Sequence, residues 1–438
     1  MQRSGMGSKG SLGILVGGGP APGINAVIAA AAIEARNAGM NVIGIMDGFE
    51  WLQKGDIEHI VTLEIKDVSR IHFTGGSILR TSRANPTKNE TLFQNTLDAM
   101  NRLGLNYLIT IGGDDTASSA YQIAKRTVGQ LRIAHVPKTI DNDLPLPKNL
   151  PSIGYETARH IGVKLVENIM EDSRSTNRWY IVVTMGLKTG HLTLGICKAA
   201  GATLAIIGEE FPSEKITLGQ VCDMLEGAMI KRKAMGRSDG VALIAEGIAT
   251  RFGETELHRL PDIAVRYDDY GNIYPSDINL GRLIKTEIER RMASRGEKTR
   301  IIEMNVGYSL RCAPPIPFDC EYGRDLGYAA VHFLIDPQFE DQNCAMICVD
   351  AGKVVPMNLA YLIDPMMDRI RLRHVDTQTD SFAVAQKYMI KLNKSDFEEP
   401  NHLLALAKAA KMTPEAFRKK FEYLVASSTS REYYSNYP

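Results

Sequence analysis

An apolar run from Leu12 reaches Gly17 and stops in Gly17, Gly18, Gly19, Pro20, Ala21, Pro22 and Gly23. An alanine-rich stretch with helical spacing follows from Ile24 to Asn37 and ends before Gly39. The pattern predicts strand, glycine loop, helix. The same grammar recurs downstream. Tyr107 to Ile111 ends at Gly112 and Gly113 ahead of a helical pattern, Trp179 to Met185 ends at Gly186, and Val241 to Ala245 ends near Gly247. Repeated units of this kind imply parallel sheets covered by helices. In open sheets of that type ligands bind beyond the carboxyl ends of the strands, where these loops fall.

The predicted fold is α/β, with two Rossmann-like lobes of mostly parallel sheet, a cleft between them and a C-terminal helical extension. The first lobe is expected over 10–152, rejoined by about 310–360, and the second over 153–309; 361–438 reads as an accessory helical region. Pro and Asn residues between Asp141 and Pro151 suit a crossing between lobes. In the tail the strand pattern is lost, and Thr413 with Glu415 predicts the cap and first turn of a helix running to Val425.

At 438 residues the chain is too long for one core of ordinary size, and 44% hydrophobic with 23% charged residues excludes a disordered chain. Lys plus Arg and Asp plus Glu are both 51, so no global basic field points to nucleic acid or anionic lipid. No membrane partner is expected, because no apolar run approaches 18 residues and the polar start MQRSGMGSKG has no apolar segment behind it; the expected location is cytoplasmic. The six cysteines are dispersed, and the one close pair, Cys344 and Cys348, lies in an apolar strand-like run that predicts buried free thiols rather than a metal site.

The chemistry concentrates in three loops. GGGPAPG has neither the lysine and spacing of a Walker A loop nor GxGxxG, so its glycines fit either an anion at a helix N-terminus or a tight turn. In GGDDT, Asp114 and Asp115 stand at a strand end ahead of a helix, where a carboxylate can cap the helix or hold Mg²⁺ together with phosphate oxygens. The third loop, Pro137 to Asp143, follows the apolar run Leu131 to Val136 and gathers Lys138, Thr139, Asp141 and Asp143. Such a cluster is costly to bury without a function. A carboxylate there can accept the proton of a sugar hydroxyl while Lys138 neutralises charge on a phosphoryl group and its leaving group.

GGGPAPGIN, GGDDT and PKTIDND, in this order and at these separations, resemble the phosphofructokinase family, in particular its pyrophosphate-dependent branch. The likeness continues through TNRWYIVVTMG, the segment with Glu246, and GYSLRCAPPIPFD, covering roughly residues 12 to 350. The resemblance implies Mg²⁺-dependent transfer from pyrophosphate to the 1-hydroxyl of fructose 6-phosphate, reversibly. It implies donor contacts at Gly18, Arg83 and Gly113, the metal carboxylate at Asp114, and Asp141 as proton acceptor, with Thr139, Ile140 and Asp143 around the acceptor hydroxyl and the metal phosphate. Arg178, Met185, Gly186, Leu187, Glu246, Tyr308 and Arg311 fall at sugar-phosphate positions. Donor choice rests on Asp115 and Lys138, which the ATP-using bacterial branch replaces with glycine. A carboxylate where a nucleotide's α-phosphate would sit adds repulsion, and the lysine steadies a phosphate leaving group that lacks its nucleoside.

One departure bears on the acceptor. The family's MGR arginine is Leu187 here, and the adjacent Lys188 projects differently and has no guanidinium fork. The acceptor is therefore open between fructose 6-phosphate and another sugar phosphate such as sedoheptulose 7-phosphate. An ATP-dependent kinase and a noncatalytic regulatory subunit stand as alternatives to the whole reading. The family implies a homodimer or homotetramer whose neighbouring subunit lends an arginine to the sugar phosphate, with Arg300 the candidate. His191 reads as a helix-start residue, and Lys231, Arg232 and Lys233 as a solvated helix end.

Overall fold

The computed structural model describes residues 10–253 and 278–426. The polar start at 1–9, and the parts of the expected second lobe and tail at 254–277 and 427–438, lie outside the described residues. The chain forms two compact units, the first holding residues 10–158 and 308–373 and the second 159–253, 278–307 and 374–426.

The first unit opens with β1 (Ser11–Val16), α1 (Ile24–Asn37), β2 (Asn41–Ile45), β3 (Ile60–Thr62), α2 (Ile65–Val68), α3 (Glu90–Arg102), β4 (Tyr107–Gly112), α4 (Asp114–Arg126) and β5 (Arg132–Pro137). The chain enters the second unit along α5 (Tyr155–Thr176), then forms β6 (Trp179–Thr184), α6 (His191–Ala200), β7 (Leu204–Ile206), α7 (Leu218–Ala234), β8 (Gly240–Ala245), α8 (Leu280–Ser294) and β9 (Ile301–Val306). It returns to the first with α9 (Tyr308–Arg311), α10 (Pro317–Ile335), β10 (Cys344–Asp350), β11 (Lys353–Asn358), β12 (Ile363–Asp364) and β13 (Arg369–Ile370). The second unit is completed by α11 (Asp380–Tyr388), α12 (Ser395–Glu398), α13 (Pro400–Ala410), α14 (Pro414–Phe421) and α15 (Tyr423–Ala426).

In the first unit seven strands run in the order β11, β10, β5, β4, β1, β2, β3. The inner pairs are parallel and both edge pairs, β2 with β3 and β10 with β11, are antiparallel. The chain proceeds from β1 to β2 on one side and from β4 to β5 on the other, so the order reverses between β1 and β4. That switch point is where an open sheet leaves a crevice beyond its strand ends. The second unit has four parallel strands in the order β7, β8, β6, β9. Every residue of β6 and β8 is buried, as apolar strands covered on both faces require.

The helical tail contains more than helices: β12 and β13 pair as a short antiparallel hairpin. Thr413 caps α14 by accepting from the Ala416 N–H at 3.2 Å, but the helix expected to run to Val425 ends at Phe421 and restarts at Tyr423. Phe397, Leu406, Phe417, Phe421 and Val425 form a buried cluster with Ile230 of α7, which fastens the tail to the second unit. The basic run of α7 is not the solvated end that its charge suggests. Lys231 pairs with Asp396 at 2.6 Å, Arg232 with Asp239 at 3.1 Å and Lys233 with Glu297 at 2.7 Å. Of the cysteines, Cys197, Cys222, Cys344 and Cys348 are buried free thiols, whereas Cys312 is exposed and Cys320 half-buried.

Candidate active site

The three loops of the first unit leave adjacent parallel strands. Val16 is in register with Ile111 and Gly112 with Pro137, so Gly17, Gly113 and Lys138 emerge side by side. Backbone bonds carry this register one step past the strands, from Gly17 N–H to Ile111 O and from Lys138 N–H to Gly112 O, each 2.9 Å. Thr116 explains two of the glycines. An added Cβ on Gly17 would lie 2.4 Å from its Oγ1, and one on Gly112 2.3 Å from its Cβ, so the threonine wedges between strand ends that lack side chains.

Gly18 takes a left-handed conformation, φ 79°. Its N–H donates to Ser82 O at 2.8 Å and its carbonyl accepts from Thr81 Oγ1 at 2.6 Å, which holds the TSR segment, and with it the exposed Arg83, against the glycine loop. Gly19 is glycine for closeness: a Cβ there would stand 1.7 Å from an Arg311 guanidinium nitrogen. Arg311 also packs 5.3 Å from the ring of Tyr308, which is itself exposed. Arg311 and Tyr308 thus belong with the donor loops in the first unit, while Met185, Gly186, Leu187 and Glu246 belong to the second.

Lys138 is buried beneath the glycine loop. Its ammonium donates to Gly17 O at 2.8 Å and to Gly19 O at 2.6 Å, leaving one of three N–H groups for another acceptor. Burial pushes it down from the ordinary lysine value to about 7; the positive charges of Arg311 and Arg83 push the same way, and Asp141 and Asp143 oppose them. The sign for stability follows. Below pH 7 the amine is charged in both folded and unfolded chains and the desolvation cost is complete; between about 7 and 10.5 only the unfolded chain keeps the proton, so this group makes stability rise with pH. Lys138→Met is expected to raise the thermal midpoint below pH 7 and to remove that rising slope. Melting curves of both proteins from pH 6 to 10 check it, and an identical slope in the variant counts against a buried ammonium.

Asp114 and Asp115 are the first two residues of α4, with Gly113 as the cap residue, so their charges sit at the positive end of the helix dipole. In the third loop the Asp141 N–H donates to Thr139 Oγ1 at 3.0 Å, while Ile140 and Asp143 are buried. Among the described residues, no group of three or more His, Cys, Asp or Glu side chains could hold a metal by itself. Oxygen ligands alone, on Asp114 at a phosphate-suited strand end, fit Mg²⁺ of the kind that arrives with phosphate and keeps most of its shell from phosphate and water.

In the second unit, Thr184 is in register with Ala245 and Val306, so Met185, Glu246 and Gly307 lie together at the carboxyl ends of β6, β8 and β9. Gly186 N–H donates to the Glu246 carboxylate at 3.1 Å, and the Gly247 N–H to Gly186 O at 3.1 Å. Leu187 follows half-buried, and His191 is the first residue of α6. Arg178 is not part of this group. It precedes β6, one six-residue strand, about 20 Å, from Met185. Because Trp179 pairs with Ile301, Arg178 and Arg300 flank each other at the amino edge of the sheet.

Three supports were not singled out from the sequence: Thr81 and Asp319, which lie inside motif segments without an assigned role, and Arg373, which lies outside every motif. The fully buried Asp319 carboxylate accepts from Gly154 N–H at 3.0 Å, from Thr157 N–H at 2.7 Å and from Thr157 Oγ1 at 2.5 Å, capping the start of α5. Burial raises its pKa above the usual carboxyl range, opposed by those same hydrogen bonds. Among the described residues no helix is long and apolar enough to cross a membrane.

Glycine amides, buried and half-buried cations and carboxylates at the switch point of a parallel sheet define an α/β scaffold for handling phosphate. The phosphofructokinase family model matches residues 11–334, and the chain belongs to that family. It is 52% identical to the pyrophosphate–fructose 6-phosphate 1-phosphotransferase of Thermotoga maritima over 94% of this chain and 97% of that one. It is 46% identical to the Naegleria fowleri protein of the same name, over 95% and 96% of the two chains. The fold matches the crystal structure of a pyrophosphate-dependent phosphofructokinase from Marinobacter aquaeolei with a TM-score of 0.61 at 15% identity, covering 87% of this chain and 91% of that one.

Proposed function

We propose that this protein catalyses reversible phosphoryl transfer from pyrophosphate to the 1-hydroxyl of fructose 6-phosphate, giving fructose 1,6-bisphosphate and phosphate. The observation that carries this reading is Lys138, a buried ammonium beside the donor loop whose charge is opposed by burial and by Arg311 and Arg83. An incoming phosphate relieves that repulsion, so its binding is coupled to keeping the lysine charged. The relatives from Thermotoga maritima and Naegleria fowleri carry the same activity in their names.

In this mechanism Gly18, Gly113 and Arg83 hold the donor, and Arg311 adds charge beside Gly19. Asp141 takes the proton from the acceptor oxygen as that oxygen bonds to the transferred phosphorus, while the bridging bond of pyrophosphate breaks and its electrons go to the departing phosphate. Lys138 offers its remaining N–H to that leaving group. Asp115 beside it excludes a nucleotide through charge and bulk. Mg²⁺, held by Asp114 with Asp143 nearby in the acidic set, would neutralise phosphate charge. Thr139 and Ile140 shape the acceptor position beside Asp141, and Met185, Gly186, Leu187, Glu246 and Tyr308 bind the sugar. Arg178 and Arg300, at the opposite strand ends, suit a role toward the sugar phosphate of a second copy in a homodimer or homotetramer, and the enzyme works in the cytoplasm.

The test is turnover by the purified full chain with Mg²⁺, using pyrophosphate and ATP separately against fructose 6-phosphate and sedoheptulose 7-phosphate. Turnover is expected with pyrophosphate and fructose 6-phosphate. Turnover with ATP alone would overturn the donor assignment, and a preference for sedoheptulose 7-phosphate would assign Leu187 to a different acceptor.

A further inference from the structure

The segment after β13 lies beyond the family-matched residues and was expected to be an accessory region, yet it reaches back to the third loop. Asn142, between Asp141 and Asp143, is buried and held in the left-handed region at φ 56°, a conformation that a non-glycine residue keeps only when its surroundings enforce it. The Ser152 N–H donates to its Oδ1 at 3.1 Å, and Ser152 Oγ donates to Thr139 O at 2.8 Å. Ser152 Oγ also lies 3.5 Å from Asn142 Oδ1, and the other side-chain bonds to Asn142 come from Arg373. One guanidinium nitrogen donates to Asn142 Oδ1 at 2.6 Å and to Asn142 O at 3.1 Å; Nε reaches Asn142 O at 3.3 Å; Nη1 donates to Leu150 O at 3.1 Å and lies 3.5 Å from Leu146 O. The Arg373 backbone N–H donates to Asp143 O at 2.7 Å.

We infer that Arg373 is a positioning residue for the proposed reaction, its guanidinium locking Asn142 and so fixing the directions in which Asp141 and Asp143 leave the backbone. The inference rests on the assignment of Asp141 made above. Its physical basis is the fork: one planar cation spans carbonyls of three residues and one amide oxygen, which a lysine point charge cannot do. Without it, buried carbonyls lose partners and the left-handed turn loses its enforcement, so the loop samples other directions while the substrate contacts elsewhere persist.

The experiment compares wild type, Arg373→Ala, Arg373→Lys and, as a control, Arg371→Ala on the exposed neighbouring position, all as full chains with Mg²⁺. Arg373→Ala is expected to lose kcat by about a hundredfold, the scale of a small misplacement of a reacting group, with KM for both substrates little changed. Added guanidinium at millimolar concentration is expected to restore part of kcat, and amides of residues 139–150 to exchange faster in the variant. Arg371→Ala should match wild type. A kcat for Arg373→Ala near wild type, a loss that guanidinium leaves untouched, or unchanged amide exchange would each overturn the inference. If Arg373→Ala does not fold, Arg373→Lys carries the kcat and amide-exchange readouts, with a loss of kcat and faster exchange expected and wild-type values in either overturning the inference. An inactive wild type would instead remove the proposed function, and the exchange comparison would still decide whether Arg373 holds the loop.

Discussion

Asp141→Asn is expected to lower kcat by about a thousandfold in both directions of the reaction, within the range that a positioned general base contributes. Asparagine keeps the size and the backbone bond from residue 141 to Thr139 Oγ1, and the lock on Asn142 involves no atom of the Asp141 side chain. Folding and both KM values should therefore stay close to wild type. A second consequence is electrostatic. Asp141 is one of two carboxylates that hold the Lys138 ammonium up against burial, so its removal shifts Lys138 further below about 7. The residual activity should accordingly fall away at lower pH than in wild type, because the charged lysine is lost sooner as pH rises. Steady-state rates from pH 5.5 to 9 check both points, and a variant with near-normal kcat would remove Asp141 from the chemistry.

The parts of this arrangement that were legible in the sequence are those whose causes are local. A strand that ends in glycine and restarts as a helix leaves a signature within about twenty residues, which is why the loops at Gly17, Gly112 and Gly186 and the α/β class could be read directly. Their adjacency could not, because the order of strands depends on pairing across the chain; β10, some 200 residues later, takes the place beside β5. Charge runs mislead for a related reason. Lys231 looks solvated until Asp396 and the Lys391 carbonyl, both far along the chain, are brought to it. Arg373 is the extreme case, since its partners are chiefly backbone carbonyls, which every residue carries and no pattern marks. Arg178 carries the opposite lesson: six residues of strand suffice to send two neighbours in a motif to opposite edges of a sheet.

Replacing Asp115 and Lys138 together with glycine is expected to reverse donor preference at a large cost in rate. Loss of Lys138 removes the charge facing the leaving group and also both bonds to Gly17 O and Gly19 O, so the loop that presents its amides to the donor is released. Pyrophosphate kcat/KM should fall by about a hundredfold to a thousandfold, as when a preorganised donor to a developing anion is deleted. Loss of Asp115 acts on ATP, where relief of a penalty of about 3 kcal/mol would bring roughly a hundredfold in affinity. The single variants separate the two effects. Asp115→Gly should admit ATP while leaving most pyrophosphate activity, because Asp115 sits on the first turn of α4 whereas the two bonds from the lysine to the glycine loop stay in place. Lys138→Gly should lose pyrophosphate activity without gaining ATP, since the carboxylate that repels the nucleotide remains. Initial rates of the three variants with each donor decide the matter. Unchanged pyrophosphate activity in Lys138→Gly would show that the buried amine serves only the loop, and that the leaving phosphate draws its charge from Arg83 and Arg311 instead.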